Sequence, residues 1–143
     1  MNLTCTAAQI TANAIPGCRR AEHVAGVFGA AFPFVIEPRI FMTAESLSHS
    51  YRGGCWDMYA LSNGGIYMAP ETDRVFPVSA ANGFECVMSA DAFGIAVFLY
   101  VFSLASFDRR RPGLAQACAE QFHLLRKFAA DHPESAAIFG ATD

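Results

Sequence analysis

Charged residues are scarce in this chain, at 16% of 143 residues, while apolar residues make up 53%. So few charges among so many apolar side chains exclude a disordered chain and predict a sizeable core, most simply in one domain. The 13 acidic residues are scattered along the sequence and leave a formal net charge of −3. That density excludes mimicry of DNA by carboxylates, because duplex DNA carries about one negative charge per 1.7 Å of its axis.

Basic residues are fewer still, and their distribution lacks the footprint of a nucleic-acid-binding protein. Acids outnumber the 10 lysines and arginines, and only Arg109–Arg111 form a run. We interpret this run as the solvated end of a helix, where positive charge complements the helix dipole. An accessory protein that binds nucleic acid through Arg109–Arg111 is an alternative, although strong nucleic-acid binding is not expected.

Signals for metals, cofactors and disulfide frameworks are missing. The cysteines are odd in number and lie far apart, at positions 5, 18, 55, 86 and 118, with no Cys-x-x-Cys pair. The histidines lie in separate elements and show no His-x-x-x-His spacing, so we interpret them as surface or capping residues: His23, His49, His123 and His132. No metal site, cofactor or structural disulfide is predicted, and a reducing cytoplasm fits the cysteines best.

Apolar runs long enough to span a membrane are not apparent either. Ala92–Phe107 carries no charge, but a membrane span needs about 20 apolar residues and this stretch includes Ser103 and Ser106. It is predicted to be a buried core helix. The N-terminus lacks a basic segment followed by an apolar run, so no signal peptide and no membrane association are predicted.

A hairpin signature centred on Asn63-Gly64 organises the chain. The pair suits a two-residue type I′ turn, in which both central residues have positive φ. If Ser62 pairs with Gly65, the facing pairs are Leu61 with Ile66, Ala60 with Tyr67, and Tyr59 with Met68. Both faces of this hairpin are apolar, which predicts that it is covered on both sides or shows one aromatic face to a partner.

A second hairpin repeats the turn chemistry, with Val75–Ala81 and Phe84–Met88 flanking Asn82-Gly83. Four consecutive strands without intervening helices predict an antiparallel meander. Pro77 lacks a donor for the ladder and indicates an edge strand.

Helices are predicted on both sides of these strands. Two precede them, over 19–29 and from Pro38 to about Ser50, with an extended segment at Phe32–Ile36 between them. Ser89 is expected to cap the core helix, another helix follows Pro112, and Asp131 is expected to cap a short final one. The predicted fold is therefore α+β, a single domain over 19–143, with residues 1–18 as an N-terminal arm that is either disordered or a short helix.

Three segments together resemble the ArdB/KlcA antirestriction family: residues 61–70 (LSNGGIYMAP), 89–95 (SADAFGI) and 131–139 (DHPESAAIF). The resemblance extends from about Arg19 to the C-terminus. It implies an antirestriction protein of plasmids and other mobile elements that relieves DNA restriction by type I enzymes. Because DNA mimicry is excluded, it further implies contact with the restriction enzyme or an associated host factor, and no catalysis.

A contact role predicts a partly exposed aromatic patch near the hairpins, since binding hot spots favour Trp, Tyr and Arg. The candidate partner-binding residues are Trp56, Tyr59, Asn63, Gly64, Gly65, Tyr67, Asp91 and Asp143. No catalytic residue is predicted. The enzymatic alternative is a small hydrolase that uses Cys55 with a nearby histidine, although Cys55 more simply reads as a core cysteine.

Overall fold

The computed structural model describes residues 9–143, which form two antiparallel sheets packed with five α-helices. The strands are β1 (Ala12–Ala14), β2 (Trp56–Leu61), β3 (Ile66–Pro70), β4 (Val75–Ser79) and β5 (Glu85–Ser89). The helices are α1 (Arg20–Phe28), α2 (Glu37–Leu47), α3 (Ala90–Ala105), α4 (Pro112–Ala130) and α5 (Ser135–Thr142). The α+β class is confirmed.

The predicted four-stranded meander is wrong. The first hairpin belongs to a three-stranded sheet in the order β1-β2-β3, and the second forms a separate two-stranded sheet, β4-β5. Consecutive strands pair or neighbour each other only about two-thirds of the time, and here the chain leaves the sheet after β3. Pro70, the last residue of β3, has no backbone N–H to donate. The N–H of the next residue, Glu71, donates to the carbonyl of Cys55, just before β2, at 2.8 Å.

Part of the predicted N-terminal arm belongs to the first sheet. Strand β1 pairs antiparallel with β2, with Ala12 opposite Leu61 and Ala14 opposite Tyr59. Residues 1–8 of that arm lie outside the described residues. Strand β1 was not predicted, because a three-residue strand of mostly small side chains carries almost no pattern.

The turn type and the register of the first hairpin also differ from the prediction. The Leu61 N–H donates to the Gly65 carbonyl at 2.8 Å, so the loop holds three residues, and Gly64 alone has positive φ, at 94°. This is the loop in which a type I turn is followed by a left-handed glycine. The register shifts by one residue, so the observed pairs are Ala60 with Ile66, Tyr59 with Tyr67, and Met58 with Met68.

Helix α3 is the centre of the core, as the uncharged stretch that begins at Ala92 predicts. Twelve of its 16 residues are buried, and Ser89 caps it by accepting the Ala92 N–H at 3.2 Å. Gly94 lies directly on β3, where an added Cβ would come within 2.3 Å of the Met68 carbonyl oxygen.

Three local predictions around the other helices are wrong. Phe32–Ile36 is a π-helical turn and not an extended segment, because Pro33 stands at the start of the turn, where its missing N–H costs nothing. Asp131 does not cap α5, which begins only at Ser135. Arg109–Arg111 lie in the α3–α4 loop after α3 has ended at Ala105.

Helical segments follow one another from Gly17 to Leu47, and by length and composition alone this run could cross a membrane. Its buried side chains recur along one face, at Phe32, Ile36, Ile40 and Ala44, and pack into the core. One buried stripe of this kind is typical of helices in a globular core.

Candidate functional site

A chain of hydrogen bonds joins three distant segments of the protein at the start of α3. The Tyr67 hydroxyl donates to Asp91 Oδ1 at 2.6 Å, and His132 Nε2 lies 2.8 Å from Asp91 Oδ2. On the other side of the ring, His132 Nδ1 accepts the Glu134 N–H at 3.0 Å. Because Nδ1 accepts, the proton of the neutral ring is on Nε2, which therefore donates to Asp91. Both oxygens of Asp91 are thus used.

A second set of bonds holds the same segments together. Glu134 Oε1 accepts the Ser89 N–H at 2.9 Å, and its Oε2 accepts the Ser89 hydroxyl proton. Within a single helix, a capping box pairs Ser with Glu three residues later. Here the glutamate comes from the segment before α5. The start of α3 is therefore fixed by a residue 45 positions away.

The electrostatics of the cluster follow from these bonds. Partial burial alone would raise the pKa of Asp91, but the hydrogen bonds from His132 and Tyr67 outweigh it and hold that pKa below its usual value. Burial, strengthened by the bond to Asp91, raises the pKa of Tyr67 well above its usual value. Asp91 is therefore a carboxylate and Tyr67 a neutral phenol across the physiological range.

Aromatic rings cover the buried side of the cluster. The Tyr67 ring stacks on Tyr59 with centroids 5.1 Å apart and on Phe128 with centroids 5.8 Å apart. Tyr67 is only 1% exposed, so a partner cannot reach it directly. Tyr59 and Asp91 are both partly exposed and are the accessible members.

The exposed side of the cluster opens into a groove of about 400 Å³. Its acidic side chains are Asp57, Glu71, Asp73 and Asp91, and Tyr59 also lines it. Such a groove can accept a cationic side chain through carboxylates and an aromatic ring. Among residues 9–143, no group of three or more His, Cys, Asp or Glu side chains is arranged to hold a metal ion.

The remaining predicted residues lie elsewhere. Trp56 is 4% exposed, and its indole N–H donates to the Tyr51 hydroxyl at 2.9 Å. Asn63, Gly64 and Gly65 form the hairpin tip against α4. Asp143 pairs with Arg126 at 2.9 Å. The structure therefore brings together Tyr59, Tyr67 and Asp91 from the predicted set, and no others.

Sequence reasoning missed His132 and Glu134 as members of this cluster. Neither stands at a spacing that marks a site, because their partners are 41 and 45 residues away in the chain. The one local signal is Pro133 between them, which indicates a turn able to aim both neighbours at the same helix end.

The proposed thiol nucleophile has no supporting geometry. Cys55 is exposed, so the interpretation as a core cysteine is wrong. Among the described residues, no histidine hydrogen-bonds to its sulfur, and a thiol nucleophile needs an adjacent base or another source of activation. Burial raises the pKa of the Cys118 thiol to about 11, which makes that cysteine unreactive in the folded protein.

The chain is similar in sequence to antirestriction proteins of Escherichia coli. The chain is 33% identical over 135 residues to the antirestriction protein KlcA of Escherichia coli, covering 94% of this chain and 95% of the relative. It is 32% identical to the putative antirestriction protein YubI of Escherichia coli strain K12, covering 88% and 91%.

A solved structure from work on KlcA and ArdB matches with a TM-score of 0.85 at 34% identity, over 94% of this chain and 95% of that one. The KlcA and ArdB proteins are described as having a novel fold and antirestriction activity against type I DNA restriction systems in vivo but not in vitro. A family model for antirestriction proteins matches residues 49–143, which include Tyr59, Tyr67, Asp91 and His132. The chain belongs to the antirestriction protein family.

Proposed function

We propose that this protein relieves DNA restriction by type I restriction enzymes in living cells. The observation that carries the proposal is the structural match to the KlcA and ArdB work over 94% of the chain. A likeness of this extent and 34% identity supports a shared activity more strongly than a shared fold alone would.

We also propose that the protein acts by contact with another protein and not by catalysis. Both carboxylate oxygens of Asp91 and both ring nitrogens of His132 are engaged in hydrogen bonds at the start of α3, and Tyr67 is buried. Groups held in this way stabilise a fold, whereas a general acid or base must reach its substrate. Because the relatives are active in vivo but not in vitro, we expect the partner to be the restriction enzyme in its cellular setting or an associated host factor.

The charges support contact with protein more than imitation of DNA. Asp57, Asp108 and Asp143 each form an ion pair with an arginine of the same chain. Carboxylates that are already paired cannot contribute to a continuous phosphate-like array. We propose that the protein acts in the cytoplasm, and its carriage on a plasmid or other mobile element stays a prediction.

The test is the plating efficiency of unmodified phage on cells that carry an active type I system, with and without expression of this protein. Restored plating, with methylation of the host DNA unchanged, is the expected result. Phage already modified by the host provides the control, because its plating must not change. Soluble, folded protein that leaves plating of unmodified phage restricted would contradict the proposal.

A further inference from the structure

A patch of exposed apolar side chains lies between α2 and the end of α3, away from the acidic groove. Met42 is 69% exposed, Leu104 66% and Phe107 78%. Met42 and Leu104 line a common groove. Phe107 lies outside that lining, three residues after Leu104, and its backbone N–H donates to the Leu104 carbonyl with the nitrogen 3.3 Å from the oxygen. We call these three residues, with the arginines described next, the Phe107 patch.

Arginines cluster around Asp108, the residue that follows Phe107. Asp108 lies within 4 Å of three guanidinium groups, 2.9 Å from Arg111, 3.6 Å from Arg110 and 3.7 Å from Arg39. With Arg109, the patch holds four of the ten basic residues of the protein. Asp108 is the acid at their centre, so the patch is cationic in a protein whose formal net charge is −3.

Asp108 also orders these arginines. Its Oδ1 accepts the Arg110 N–H at 3.0 Å, and that bond, together with the neighbouring guanidinium groups, holds the pKa of Asp108 below its usual value. The Asp108 side chain is 10% exposed, whereas the Arg110 side chain is 82% exposed. The Asp108 carboxylate therefore positions the arginines, and the positively charged Arg110 side chain faces the solvent.

The apolar part of the patch continues into a groove of about 470 Å³. Met42 and Leu104 line it, together with Ser79–Ala81 at the end of β4. A cavity of this size suits a large apolar side chain. Its position beside the arginines places apolar and cationic contacts next to each other.

We propose that the Phe107 patch is the surface through which this protein binds its restriction partner, and that the partner contributes a segment with acidic residues beside a large apolar side chain. The proposal rests on the proposed function. Exposed apolar side chains with arginine and aromatic neighbours are typical of binding hot spots. Opposite charge on the partner follows from the net positive charge of the patch.

A protein segment fits this surface better than DNA or a membrane does. A side chain can enter the groove that Met42 and Leu104 line, whereas a flat bilayer surface leaves such a groove unfilled. DNA binding draws on many cations that follow the phosphate backbone, whereas this patch holds four arginines around one carboxylate in a protein whose formal net charge is −3.

The experiment is the phage-plating assay with two single variants of the patch, Leu104→Ser and Arg110→Glu. Both side chains are exposed, so thermal unfolding is expected to match that of the unchanged protein. Each variant is expected to lose at least about tenfold of the plating relief, as the loss of about 1.4 kcal/mol of binding would cause. The matched controls are Val87→Ser, an exposed apolar residue of β5, and Lys127→Glu on α4, which should keep full relief.

Three outcomes are distinguished. If the unchanged protein restores no plating, the proposed function fails, and the inference fails with it. If the unchanged protein and both patch variants restore plating equally, only the inference is overturned. If Leu104→Ser unfolds, Arg110→Glu decides the matter by itself.

Direct binding measurements separate the alternative partners. Fluorescence anisotropy with a short DNA duplex and co-sedimentation with vesicles of equal parts phosphatidylglycerol and phosphatidylcholine are expected to show no binding. Binding of the duplex that requires Arg110 and weakens steeply with salt would overturn the inference in favour of nucleic acid. Binding to the vesicles that Leu104→Ser abolishes would overturn it in favour of a membrane surface.

Discussion

Asn63, at the tip of the first hairpin, donates a hydrogen bond from Nδ2 to the Leu124 carbonyl of α4 at 2.9 Å. Its Oδ1 accepts the Gly65 N–H at 2.9 Å, so one side chain both shapes the loop and anchors it. The second hairpin repeats the device, because Asn82 donates to the Gly140 carbonyl of α5 at 2.9 Å. The two Asn-Gly tips therefore attach the two sheets to the C-terminal helices.

Asn63→Ala is expected to lower the free energy of unfolding by about 1 to 3 kcal/mol, because it leaves the Gly65 N–H without its partner and removes the side-chain bond to the Leu124 carbonyl in partly buried surroundings. Asn82→Ala should cost less, since the corresponding bonds of Asn82 are exposed to water. Urea denaturation of the two variants measures the difference. Equal losses of unfolding free energy in the two variants would show that burial of the first hairpin tip adds nothing to the strength of its hydrogen bonds.

Two helical glycines are expected to respond to alanine in opposite directions. At Gly94, the new Cβ would meet the backbone of β3, 2.3 Å from the Met68 carbonyl oxygen, so Gly94→Ala should cost at least about 2 kcal/mol. At Gly26 in α1, nothing lies within 4 Å, so Gly26→Ala should stabilise the protein by about 0.5 to 1 kcal/mol. Thermal unfolding of both variants is the measurement. A stable Gly94→Ala protein would contradict the close packing of α3 on β3.

Asp91→Asn is expected to lower stability at pH 7 by about 1 to 2 kcal/mol, at the low end for bonds to a charged group because the Asp91 side chain is 43% exposed. The pKa of Asp91 is lowered in the folded protein, so its contribution is present above the unfolded value of about 3.9 and is lost as the pH falls through the folded value. The difference between the two proteins should therefore shrink below about pH 4.

Denaturant unfolding at pH 7 and at pH 3 checks this dependence. The control is Asp131→Asn, which changes an exposed acid next to His132 in the sequence. A difference between Asp91→Asn and the unchanged protein that stays constant over this range would show that the carboxylate charge has no part in the cluster.

Cys55→Ser is expected to leave relief of restriction unchanged, because the thiol has no base beside it among the described residues. The phage-plating assay measures this directly. Maleimide labelling of the folded protein offers a parallel check, since Cys18 and Cys55 are exposed and should react, while the buried Cys118 should react only after unfolding. Loss of plating relief in Cys55→Ser, with folding intact, would revive the hydrolase alternative.

Local features of the fold could be predicted because short-range chemistry controls them. Gly29 ends α1 with a φ of 65°, Ser89 caps α3, and both Asn-Gly pairs form hairpin tips. The uncharged stretch that begins at Ala92 also predicted a buried helix, since burying so many apolar side chains is strongly favourable.

The candidate site could be predicted only in part. Tyr59, Tyr67 and Asp91 come from adjacent parts of the hairpin and the following helix, so their placement in one region followed from the order of the elements. His132 and Glu134 could not be assigned, because their bonds cross 41 and 45 residues of chain. The exposed Phe107 patch was missed because exposure of an apolar residue depends on the helices packed around it.

The sequence by itself determined the α+β class, the positions of both hairpins, the capped core helix and the family, since each depends on residues close together in the chain or on a run of specific residues. Only the tertiary structure decided the register of the first hairpin, the separation of the two sheets, the pairing of β1 and the hydrogen bonds around Asp91. A one-residue change in loop length reverses which side chains share a face of the hairpin. The free-energy cost of that change depends on the groups that pack against each face. Those energies arise from contacts between distant segments, which exist only once the chain has folded.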